Sequence, residues 1–153
     1  MNFIDIKNPV YRVRLGTDVL FEAAGRFSYT GVYDAATRFV QEHQSKNEIL
    51  WKTFVDQFRL QKDSEDGGWN GEFFGKMMRG ACRVYSYTRD GALYEILKRA
   101  VEDMLTAQEE NGRFSTYRQE KEFGYWDMWC RKYVLLGMLF FADICEDASL
   151  KEK

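Results

Sequence analysis

Glu72 and Lys76 stand four positions apart at the start of an apolar-periodic stretch, so on a helix they share one face. Two readings of that pair stay open. It is a surface ion pair whose carboxylate is favoured by the helix dipole, or both side chains point into a cleft and hydrogen-bond a polar ligand. Trp69, Trp126 and Trp129 lie within or just beyond the two longest loop-like stretches. Tryptophan packs into cores by default, yet rings at a cleft mouth would present apolar faces to the C–H faces of a sugar, with the indole N–H as a polar handle. Asp127, between two of these rings, would act as a general acid or base, or as a first-turn residue answering the helix dipole. A Glu72–Asp127 carboxyl pair would in turn suit a small hydrolase or epimerase.

Other chemistries find less support. Gly75-Lys76 is followed by Met77 rather than Ser or Thr, and Asn70 stands where a phosphate loop needs its first glycine. His43 is the single histidine and falls on a helix away from the two loops, which leaves no Ser-His-Asp arrangement to build. Cys82, Cys130 and Cys145 are odd in number and widely spaced, so they read as reduced, largely buried thiols and not as disulfides or a metal site. A formal charge of −2, with 22 basic and 24 acidic residues interspersed, excludes a nucleic-acid stripe. No apolar run reaches a membrane span, and the N-terminus has no signal-peptide pattern, so the expected location is cytoplasmic.

The elements that must position these residues are mainly helical. Tyr11, Val13 and Leu15 alternate with arginines, and with Val19 to Phe21 they would make a short β-hairpin inside an N-terminal segment 1–30. Residues 31–153 read as one helical domain. Tyr33 to His43 is a short helix; Asn47 caps the next, with Leu50, Phe54 and Phe58 as its apolar stripe. Helix 72–88 buries Phe74, Met77, Met78, Ala81 and Tyr85; Asp90 caps a helix running to about Glu109; a last helix runs from about Gly124 to Ile144 with Trp126, Trp129, Tyr133, Leu136, Phe140 and Phe141. The joint Arg89-Asp90-Gly91 is so short that helices 72–88 and 92–109 must form an antiparallel hairpin. Segments 62–71 and 110–123 then meet at its other end, and long aromatic, glycine-bearing loops on a rigid hairpin make that end the working face.

The same residues carry a resemblance. Gly68-Trp69-Asn70-Gly71-Glu72-Phe73-Phe74-Gly75-Lys76, then Tyr85-Ser86-Tyr87-Thr88-Arg89-Asp90, then Ala107 to Tyr117 and Tyr125 to Leu139 follow one another at family-like intervals. From Leu50 to about Asp147 the chain resembles the N-terminal part of the β-L-arabinofuranosidase family, glycoside hydrolase family 127 and its relatives. The resemblance implies antiparallel helical hairpins forming part of an (α/α)6 toroid around a sugar-binding pocket. It also implies a zinc, held by a glutamate and cysteines, that activates a cysteine nucleophile beside a second glutamate, all C-terminal to the part matched here. No such cluster stands in these 153 residues, so neither a catalytic residue nor a metal ligand is assigned and no cofactor is expected in this segment. Successive candidate inner helices start about 52 residues apart, and six such hairpins need about 300 residues, so a larger parent enzyme is implied.

Two departures from the family pattern stand out. Gly71-Glu72-Phe73-Phe74-Gly75-Lys76 replaces a Gly-His-x-x-Gly-His pattern, and Trp129-x-x-Lys132 replaces Tyr-x-x-His; a lysine in either place only donates hydrogen bonds. The expected substrate-binding residues are therefore Trp69, Glu72, Lys76, Trp126, Trp129 and Lys132, with a carbohydrate as partner. The remainder of the parent chain, or a second copy, is expected to cover the exposed apolar helix faces. The competing expectation is a non-catalytic helical module for carbohydrate binding or assembly.

Overall fold

The computed structural model describes residues 30–153, and the N-terminal strand pair expected before residue 24 lies outside them. Among the described residues the order is α1 (Val32–Val40) running into a π-helical turn (Gln41–Ser45), α2 (Glu48–Leu60), α3 (Asp63–Asp66), α4 (Glu72–Thr88), α5 (Gly91–Leu105), a 3₁₀ turn (Gln119–Lys121), α6 (Asp127–Ile144) and α7 (Ala148–Glu152). No strand occurs among them, and the fold is all-α.

Local chemistry sets the boundaries. The Asn47 side chain accepts the Leu50 N–H at 3.1 Å, and Asp90 accepts the Leu93 N–H at 3.0 Å, so both caps satisfy donors that a helix start leaves orphaned. α4 ends where Arg89 turns left-handed (φ 54°) and its N–H closes on the Tyr85 carbonyl. Two residues later α5 is under way, which is the antiparallel hairpin the short joint demands. α5 stops at Leu105, short of the expected Glu109. The chain turns there because Glu109 and Arg113 hold each other, N–H to carbonyl and carboxylate to guanidinium.

The layers follow from which residues face each other. Glu72 meets Trp129, Lys76 meets Tyr133 and Arg79 meets Phe140, so α4 and α6 run parallel, side by side. Glu48 pairs with Arg99 and Arg59 with Asp103, so α2 and α5 run parallel in the layer behind. Alternating up and down between two such layers is the (α/α) toroid pattern. Between them Trp51, Val55, Phe58, Phe74, Met78, Leu93, Leu97 and Met104 form the core, each large apolar side chain contributing about 1.5–3 kcal/mol on burial.

Two stripes are rotated from where periodicity put them. On α2, Trp51 and Val55 are buried and Phe54 only partly so. Trp51 is drawn in because its indole N–H donates to the Ser45 carbonyl at 2.8 Å and its ring meets Phe74 edge-on. On α6 the buried residues are Asp127, Cys130, Val134, Gly137 and Phe141, while Trp129, Tyr133 and Phe140 meet cations of α4 and α6 on the outward side. That helix is apolar nearly all round, so period alone could not say which side is inside.

Candidate functional site

The site begins with glycines. A Cβ on Gly75 would lie 1.8 Å from the Tyr133 carbonyl oxygen, and one on Gly137 would lie 2.8 Å from the Gly75 Cα. α4 and α6 therefore touch backbone to backbone at that level. One turn earlier, a Cβ on Gly71 would sit 2.7 Å from the Cys130 Cβ. The close approach brings the first turns of two long helices together, and with them Glu72 and Trp129.

The two loops are bound to each other at the same end. Asp63, almost wholly buried, accepts from Asn70 Nδ2 at 2.6 Å and from Thr116 Oγ1 at 2.6 Å. The Arg118 N–H donates to Ser64 Oγ at 2.6 Å, the Lys121 ammonium to the Ser64 carbonyl, and the Tyr117 hydroxyl to the Gly68 carbonyl. Burial pushes the Tyr117 phenol up to about 12, so it stays protonated and donating. Gly67, at φ 72°, lies flat beneath the Tyr125 ring, which stacks in turn on Tyr117.

On this platform Trp69, Glu72, Trp126 and Trp129 surround a hollow of about 230 Å³. The rings are not core residues: Trp69, Trp126 and Trp129 remain 53%, 46% and 39% exposed. They meet edge to face, Trp69 with Trp126 at 6.4 Å, Trp126 with Trp129 at 6.0 Å and Trp129 with Tyr133 at 5.1 Å. Glu72 forms the floor. Its Oε2 accepts from the Trp129 indole N–H and its Oε1 from the Lys76 ammonium, both at 2.5 Å. Burial works to raise the Glu72 pKa, but Lys76, the Trp129 N–H and the nearby Lys132 outweigh it, and the carboxyl is held below its ordinary value. Glu72 is thus a fixed anion and acceptor at neutral pH, not a proton donor. Lys132 lies over the Trp129 ring at 3.5 Å and over Tyr133 at 4.1 Å, and Lys76 also approaches Tyr133, at 4.9 Å.

All six residues expected at the site therefore fall in one neighbourhood, four around the hollow and the two lysines beside it. Asp127 does not join them. It is fully buried behind the rim, accepting from the Ser115 hydroxyl, the Phe123 N–H at 2.9 Å and Arg131 Nε at 3.0 Å. The structure gives it the first-turn role, and a Glu72–Asp127 acid–base pair is not formed. His43 stacks on Phe39 on the π-helical turn. Sequence reasoning missed Asp63 and Thr116, whose partners lie 53 positions apart; a buried aspartate beside a Gly-Gly turn was the one available signal.

The family model for the catalytic domain of GH127 β-L-arabinofuranosidases matches residues 22–145. The chain belongs to this family. It is glycoside hydrolase-like. No curated protein and no solved structure matched the chain. The zinc centre implied by the GH127 resemblance does not fit the residues described here. Among them no group of three or more His, Cys, Asp or Glu is arranged to hold a metal ion. Burial also pushes the Cys82 thiol up to about 12 and Cys130 up to about 11, so both are kept as packing thiols rather than thiolates. No helix among the described residues is long and apolar enough to cross a membrane.

Proposed function

We propose that this chain supplies part of the sugar-binding pocket of a glycoside hydrolase acting on β-L-arabinofuranosyl or related plant-type glycans. On this reading the nucleophile and the zinc ligands that the resemblance implies would come from a longer parent chain. The observation that supports this is the hollow itself: three half-exposed indoles standing over an ionised carboxylate that is already hydrogen-bonded in place. Aromatic faces take the C–H side of a sugar ring, and Glu72, Lys76 and Lys132 take its hydroxyls, the first as acceptor and the others as donors. Intrinsic fluorescence tests it directly. A β-L-arabinofuranosyl oligosaccharide should change tryptophan emission saturably, and Trp129→Ala should weaken that binding about tenfold or more. A flat titration with the wild-type chain would remove the reading.

The same reading expects an uncovered apolar surface, whereas the competing self-contained module expects a monodisperse chain. A second groove of about 400 Å³ lies between α5, α6 and α7, lined by Val101, Leu105, Phe114 and Met138, with Leu135 and Leu139 left 52% and 62% exposed at its edge. Exposed leucines in a row on one helix are costly in water and invite a partner, here the rest of the parent chain or a second copy. The isolated chain should then self-associate in light scattering, and Leu139→Glu should return it to monomer with an unchanged melting temperature. A wild-type chain that stays monomeric at high concentration argues against this coverage.

A further inference from the structure

Beyond the hollow, the outward face shared by α4 and α6 is basic. Lys132 and Lys76 stand beside Tyr133; Arg79 and Arg83 lie over the Phe140 ring at 5.2 and 5.0 Å. Lys76, Arg79 and Arg83 recur on one face of α4, and Tyr133 and Phe140 recur seven positions apart on α6, so cations and rings form a lane about 10 Å long. Most arginines among the described residues have a carboxylate partner: Arg38, Arg59, Arg99, Arg113, Arg118 and Arg131. Arg79, Arg83 and Arg89 have none. The Arg79 Nε is in addition buried without a hydrogen-bond acceptor. Glu72 answers Lys76 and the nearby Lys132 but pairs with neither Arg79 nor Arg83.

A chain of formal charge −2 has carboxylates to spare, and an unpaired buried guanidinium N–H is costly unless something arrives to accept it. The ligand that would do so must be anionic, and the hollow beside this face makes a continuing glycan the natural carrier of that charge. We infer that the glycan served by this pocket is acidic, its uronate carboxylates seated on Arg79 and Arg83 along the α4–α6 lane. This rests on the sugar-pocket reading and adds the charge of the substrate to it. Guanidinium groups bind carboxylates through short, charge-assisted hydrogen bonds. Neutral arabinosyl chains would leave both guanidinium groups unanswered.

Calorimetry on the 153-residue chain with three probes tests this: a galacturonate trimer, its fully methyl-esterified form and a neutral galactose trimer. The acid should bind at least about tenfold tighter than its ester, the size of one charge-assisted hydrogen bond. That advantage should shrink as salt is raised and the lane is screened. Arg83→Gln should remove most of the difference between acid and ester while leaving ester binding and thermal stability in place. The Arg83 side chain is exposed and holds no ion pair, so the variant should fold. If acid and ester bind equally, and both lose affinity in Trp129→Ala, the charge assignment is overturned and the sugar pocket stands. If none of the three probes binds while a β-L-arabinofuranosyl oligosaccharide still does, this inference is overturned and the pocket stands; if that sugar fails as well, both readings fall. A sulfated galactose trimer bound more tightly than the uronate would overturn the assignment to carboxylates.

Discussion

Gly75→Ala should lower the stability of this chain by about 2–3 kcal/mol, while Gly80→Ala, one turn further along the same helix, should raise it by about 0.5–1 kcal/mol. Both substitutions replace a mid-helix glycine in α4 and gain the same backbone propensity. What differs is the room. Nothing lies within 4 Å of a Cβ on Gly80, whereas a Cβ on Gly75 falls 1.8 Å from the Tyr133 carbonyl oxygen and 2.2 Å from its carbon. Backbone cannot turn aside as the end of a side chain can, so α6 must move away from α4. That movement would be felt at the hollow, because Glu72 and Trp129 sit one turn above the crossing and are joined by a single hydrogen bond. Urea unfolding of the two variants measures the contrast, and sugar titration of Gly75→Ala should show weaker binding at temperatures where it is still folded. Equal midpoints for both variants would mean that the helices are not held at this spacing.

The same crossing shows how far the sequence could be read. The bounds of α4, the two capping residues Asn47 and Asp90 and the apolar stripe of α5 are local facts, and each was legible from neighbours within a turn or two. The shared end of segments 62–71 and 110–123 also followed, since a joint as short as Arg89-Asp90-Gly91 leaves a hairpin little choice. Chain statistics do not show which side of α6 is buried. Its first residue, Asp127, is sealed inside, its tryptophans and Tyr133 look outward, and an all-round apolar sequence permits either arrangement. The start of α6 moved from the expected Gly124 to Asp127 because Phe123 and Tyr125 both take positive φ (64° and 46°), a strained pair that propensity would not choose. Tertiary contacts hold it: the Phe123 N–H reaches Asp127, and Tyr125 lies on Tyr117. Spacing gave Glu72 and Lys76 as a helix pair, which they are; only the fold could place a tryptophan N–H on the second oxygen.

Asp127→Ala should be the most damaging single change to the loop platform, costing about 3–5 kcal/mol. The carboxylate is wholly buried and collects the Ser115 hydroxyl, the Phe123 N–H and Arg131, whose guanidinium also reaches Glu122 at 2.6 Å. Arg113, itself buried, completes the cluster through Glu109 and Glu122. Truncation leaves these donors facing an empty space with one acceptor fewer, while the exposed rim tryptophans lose their anchor to α6. Asp127→Asn tests the charge separately from the shape. Its amide can still accept from Arg131 but must turn an N–H toward the Phe123 N–H, so a smaller loss is expected, about 2 kcal/mol. The two variants also differ from the wild type in acid. Burial alone would raise the Asp127 pKa, yet Ser115, the Phe123 N–H and Arg131 hold it below the ordinary 3.8. A folded pKa below the unfolded one means that the unfolded chain takes up the proton first. The stabilisation is therefore full above about pH 4–5 and fades as pH falls through the folded value. Wild type and Asp127→Asn should accordingly differ most near neutral pH and converge on acidification, measured as urea midpoints across that range. A gap that stays constant down to acid unfolding would show that Asp127 is held by its shape and not by its charge.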